Sequence, residues 1–150
     1  MRRATARPAG YGSHIGAMNP HYPSVAKRAN HRCEYCGAPE AIFNFRFEVE
    51  HIRPISREGV DEESNLALAC RSCNIHKSNW LTAIDPVTQT DVPLFNPREQ
   101  AWQEHFQLDL ETAMISGLSP IGRAAVERLR MNSPVQLTAR IRWTQLGLLS

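Results

Sequence analysis

The feature that most restricts this chain is a pair of Cys-x-x-Cys steps, Cys33-Glu-Tyr-Cys36 and Cys70-Arg-Ser-Cys73, which hold all four of its cysteines. A Cys-x-x-Cys places two sulfurs around one tight turn, so two such turns can complete the tetrahedral S4 shell that zinc prefers. Two disulfides would suit a small secreted chain. Here Arg2, Arg3 and Arg7 run into Gly, Ser, His and Pro without the apolar stretch of a secretion signal. A redox pair would need only one motif, beside a βαβ pattern that is missing. The spacing therefore predicts one structural zinc on Cys33, Cys36, Cys70 and Cys73.

Between the two knuckles, Phe43, Phe45, Phe47 and Val49 alternate with Asn44, Arg46, Glu48 and Glu50. That is the period of a strand with one buried face, and it delivers Glu50 and His51 at its end. The charged run from Arg53 to Ser64 carries Pro54 and Gly59 and reads as an exposed loop. Asn65 closes the loop, Leu66-Ala67-Leu68 makes a second strand, and the second knuckle opens a helix from Arg71 to about Trp80. The order is strand, loop, strand, helix.

In that order and spacing the residues resemble the HNH endonucleases of the ββα-metal type, in the branch with paired zinc knuckles. His51 stands as the first His, after an acid and before Ile52-Arg53-Pro54. Asn65 in Asn65-Leu66 is the middle Asn, and Asn74 in Cys73-Asn-Ile-His-Lys77 is the third letter. Glu50 replaces the more usual Asp, and Asn74 replaces His. More loosely, Leu94–Arg98, Trp102–Phe106, Ile121–Arg123 and Met131-Asn132 are similar to the tails of small standalone bacterial HNH proteins.

The resemblance implies a metal-dependent endonuclease that nicks or cuts DNA, with duplex DNA as the expected substrate and RNA left open. It implies Mg2+ or Mn2+ on Glu50 and Asn74, with His51 as general base and Asn65 orienting its ring. Arg53, Arg71 and Lys77 would contact phosphate. His76 is the alternative third letter. Residues two apart on a helix point about 200° apart, so Asn74 shares a face with Arg71 and Lys77, and His76 shares one with Cys73 and Trp80. The competing reading is a zinc-stabilised module that binds nucleic acid or protein without catalysis.

The rest of the chain reads as support. Its 150 residues suit one domain: a flexible arm over 1–20, within which Met18 offers an alternative start, then a single unit over 21–150 with its core at 31–80 and an extension at 81–150. Net charge is only +2, so nucleic-acid binding must come from local clusters. A short helix is expected over Pro23–Asn30, and His14, His21 and His31 read as bystanders. A turn over Asp85–Asp91 and an apolar return over Val92–Phe95 follow. Pro97–Glu104 reads as a helical turn or two, His105 as packed between aromatics, and 105–109 and 112–116 as short strands. Ser119-Pro120 and Ser133-Pro134 each pair an N-cap with a first-turn Pro, for helices to Met131 and about Leu146. Arg123, Arg128, Arg130, Arg140 and Arg142 there face one acid, Glu127, as a candidate backbone grip or an ordinary solvated face. The expected class is α+β, with no membrane segment and a cytoplasmic setting.

Overall fold

The structure, a computed structural model, describes residues 18–149. Arg2, Arg3, Arg7 and His14 of the expected arm lie outside the described residues.

Four successive buried residues, Leu66-Ala67-Leu68-Ala69, form β2, which pairs antiparallel with β1, Glu48–His51. The register sets Glu48 opposite Ala69 and His51 opposite Leu66. A strand buried on both faces needs cover on both. Helix α1, Tyr22–Arg28, supplies Val25 and Ala26, both fully buried. Helix α2, Arg71–Lys77, supplies Cys73 and Lys77.

β1 is shorter than the alternation over 43–49 predicts. Its partner runs out at Ala69, because Cys70 is already the N-cap of α2. Phe43 and Phe45 therefore lie in bends, and Phe45 is exposed. Phe43 instead packs edge-on against Phe47 at 5.0 Å and against Trp143 at 5.9 Å. α2 likewise stops short of Trp80, where Ser78 turns to a φ of 49°.

After α2 come a hairpin of β3, Thr82–Ile84, with β4, Asp91–Pro93, around the expected turn, then α3, Trp102–His105. The helical turn expected from Pro97 is confined to α3, since Asn96 and Gln100 use their side chains on the backbone of a tighter turn. The two short strands expected here form as β5, Phe106–Leu108, and β6, Ile115–Gly117, and they pair antiparallel. Helices α4, Pro120–Arg128, and α5, Pro134–Gln145, start where Ser119 and Ser133 accept the N–H of Gly122 and Gln136. Gly122 is required there, because a Cβ would meet the His105 carbonyl oxygen at 1.9 Å.

The fold is α+β, and its main core is shared. One buried cluster joins Val25, Leu68 and the four cysteines to Phe95, Phe106 and Trp143 of the extension. Trp102 Nε1 donates to the Tyr35 carbonyl at 2.8 Å, and Arg98 ion-pairs with Glu34, tying the extension to the first knuckle. No helix among the described residues is long and apolar enough to cross a membrane.

Candidate active site

The first knuckle is closed by Gly37 at a φ of +79°, whose N–H donates to the Cys33 carbonyl at 2.9 Å. In the second, Cys70 caps α2 through its sulfur, which accepts the Cys73 N–H. Glu34 joins the first knuckle to β2, its carboxylate accepting the Leu68 N–H at 2.8 Å while its own N–H donates to the Leu68 carbonyl. The four sulfurs lie within 4.8 Å of one another, all buried and none in a disulfide. The Cys36–Cys70 separation of 3.7 Å matches the edge of about 3.8 Å for a tetrahedron with Zn–S bonds near 2.3 Å. Burial alone would raise the Cys33 thiol, but hydrogen bonds from Cys36, Cys70 and Cys73 hold it well below the ordinary thiol range. Those same bonds to Cys33 push Cys36 and Cys73 up. The donor set fits a structural zinc.

Successive strand residues point to opposite faces, and β1 uses this to separate its ionisable groups. On the face toward α2 lie Glu48 and Glu50. Asn74, on α2, donates its amide N–H to the Glu48 carboxylate. One turn on, Lys77 is fully buried, its ammonium 3.1 Å from Glu50 Oε2 and 2.8 Å from the Ile52 carbonyl oxygen. The other Glu50 oxygen accepts the Tyr35 hydroxyl. Burial pushes the Glu50 carboxyl up, against the opposing pull of Lys77 and Tyr35. Asn74 therefore meets Glu48 directly, while both Glu50 oxygens are engaged by Lys77 and Tyr35. Lys77 is no surface phosphate contact, because its charge is engaged by Glu50 inside the protein.

On the opposite face, the partly exposed His51 ring meets Asp61, with Nε2 and Oδ1 2.9 Å apart. His51 draws the Asp61 carboxyl below its usual range. The other Asp61 oxygen lies 3.6 Å from His21 Nε2. Asn65 makes no hydrogen bond to the imidazole. It accepts the Arg53 N–H at 2.8 Å and donates to the Arg53 and Val60 carbonyls at 2.9 and 2.8 Å. Those bonds close the loop over 53–60, which runs directly into Asp61. Gly59 completes the closure, since a Cβ there would lie 1.8 Å from the Arg53 carbonyl oxygen.

The sequence offered weak signals for these partners. Glu48 shares a strand face with Glu50 by the period of two. Asp61 sits in a run with Glu58, Glu62 and Glu63, and nothing local distinguishes it. Of the histidines read as bystanders, His21 flanks Asp61, and His31 Nδ1 lies 2.8 Å from Glu40 Oε1. His76 lies beside Ser72, with 3.4 Å from Oγ to Nδ1, and away from Asn74.

The arginines of the expected grip divide sharply. Arg123 makes a bidentate pair with the buried Asp85, both contacts at 2.9 Å. Arg128 lies over the Trp80 ring at 4.3 Å. Arg140 is fully buried and donates to the Ala113 and Met131 carbonyls. Arg53 is exposed, with Nε on the Arg57 carbonyl. Arg71 and Arg130 are exposed and form no ion pair with a described carboxylate.

A two-stranded hairpin and helix clipped by four cysteines, with a histidine and an amide-bearing helix on its two sides, define a ββα-metal centre. Residues 33–79 match the HNH family, described as HNH endonuclease. The match spans the central third of the chain, from the first knuckle to just past α2. Neither curated proteins nor solved structures give a match.

Proposed function

We propose that this protein is a metal-dependent endonuclease hydrolysing phosphodiester bonds of duplex DNA, with His51 as general base. The observation that carries this reading is the His51–Asp61 contact within the segment matched to the HNH family. With Nε2–H donated to Asp61, the lone pair of the neutral ring lies on Nδ1, free to accept a proton from an attacking water. Asp61 also stabilises the imidazolium that results. Asn65 holds the loop that presents Asp61.

The oxygen of Asn74 and the carboxylate of Glu48 are the donors a hard divalent cation such as Mg2+ or Mn2+ takes. Glu50 would join them only by releasing Lys77 and Tyr35. A bound cation would supply charge for the leaving oxygen. Arg53 and Arg71 offer exposed guanidinium groups to the DNA backbone.

Nicking of supercoiled plasmid by the zinc-loaded protein tests the proposal. Cleavage that requires added Mg2+ or Mn2+ and disappears in His51→Ala is the expected result. Repeated absence of metal-dependent cleavage by the wild type would favour the non-catalytic binding module.

A further inference from the structure

Helices α2 and α5 enclose a groove outside the hairpin, with a volume of about 600 Å³, within the usual range of small-ligand sites. Phe43, Ile75, Val135 and Trp143 make it largely apolar. Arg71 and Arg130 stand among its lining residues, and no carboxylate does. Val135, Gln136, Ala139 and Trp143 of α5, with Arg130 and Ser133 just before it, line the groove from beyond the segment that matches the HNH family.

We propose that this groove receives an unpaired nucleobase, with Arg71 and Arg130 holding the phosphates on either side. This rests on the nucleic-acid reading above and names the state of a nucleotide, unpaired within or beside that DNA, that the groove takes. Three observations select this occupant. The groove is apolar where a base has its flat faces, and aromatic side chains give bases a sequence-tolerant platform. Its two arginines have no ion-pair partner among the described residues, so their charge is open to an anion. Arg71 lies one turn before Asn74 on the same helix, so a strand with a phosphate near Asn74 passes the groove mouth. In a duplex the bases are stacked and paired. The groove therefore favours a frayed, flipped or single-stranded nucleotide, whose base is free to enter.

The test uses full-length His51→Ala protein, so that binding is read without cleavage and a protein that proves inactive on plasmid can still pass. Fluorescence anisotropy compares a labelled single-stranded oligonucleotide, the same strand in a duplex, and the same strand with abasic residues. Val135 is 80% exposed, so Val135→Glu puts a carboxylate at the groove with little threat to folding. It should weaken single-strand binding by about tenfold, as should removal of the bases, and change duplex binding much less. Arg71→Ala with Arg130→Ala should flatten the slope of log K against log salt by about 1.4, because two phosphates of the single strand are no longer neutralised. Circular dichroism melts of each variant confirm that it is folded. Single-strand binding that survives Val135→Glu and base removal in folded protein would overturn the proposal. So would equal losses on single strand and duplex.

Discussion

On the α2 side of β1, Glu50 is 5% exposed, with a lysine and a tyrosine on its two oxygens. One residue later, on the opposite side, the His51 side chain is 27% exposed and its partner Asp61 is 61% exposed. The buried carboxylate is fixed by packing, since neither it nor Lys77 can move without stranding a charge in the interior. The histidine meets a carboxylate at the end of a loop, and the Asn65 amide and the loop's own backbone bonds close that loop. A neighbouring pair of residues thus divides between a rigid internal ion pair and an accessible imidazole whose placement depends on the chain ten residues on. Buried charge contributes shape here, whereas accessible charge is free for chemistry.

The largest expected effect removes the frame that both faces share. Cys70→Ser should lose zinc and the cooperative melt together, because metal binding and folding are coupled in a small clipped core. Elemental analysis and calorimetry check this, and full zinc content with an unchanged melt would refute it. Next, His51→Ala should reduce cleavage by about 10²–10⁴-fold while leaving zinc content and the melting temperature near wild type. On the buried side, Lys77→Met should cost about 3–5 kcal/mol by leaving Glu50 uncompensated. Adding Glu50→Gln should recover much of that loss, as urea titrations can show. If Lys77→Met proves harmless, the two faces do not differ as described.

Smaller effects sharpen the role of the loop. Asn65→Ala leaves the Arg53 N–H and two carbonyls to water, so it should cost about 1 kcal/mol and reduce cleavage. Asp61→Asn should reduce cleavage with a smaller change in stability; equal stability losses would mean that Asn65 does not hold the loop. The smallest effect is on acid stability. Arg123 holds the Asp85 carboxyl well below the aspartate range, so that pair stabilises the fold above about pH 4 and loses its contribution as pH falls toward the lowered pKa. The melting-temperature gap between wild type and Arg123→Met should therefore narrow below about pH 4.

How much of this could be read in advance follows from the range of each interaction. The cysteine pairs, the hairpin, α2 and the two Ser-Pro helix starts were legible because spacing, alternation and capping are local. The helix period also put Asn74 and Lys77 on one face, as the structure has them. That period could not say whether the face met solvent or the hairpin, and so misplaced the charge of Lys77. Likewise, Arg123, Arg128 and Arg140 looked alike in sequence. Their partners, Asp85, Trp80 and the carbonyls of Ala113 and Met131, lie far enough along the chain that only folding distinguishes them.

The loop closed by Asn65 also bears on how such a motif is to be searched for. Its side chain accepts once and donates twice, so each end of the amide is in use. Aspartate would turn acceptors toward the Arg53 and Val60 carbonyls, and glutamine would carry the same groups one methylene too far. The Asn65 side chain is therefore matched to the shape of this loop. A pattern that admits Asp at this position would gather chains that keep the histidine but lack the means to hold its partner in place.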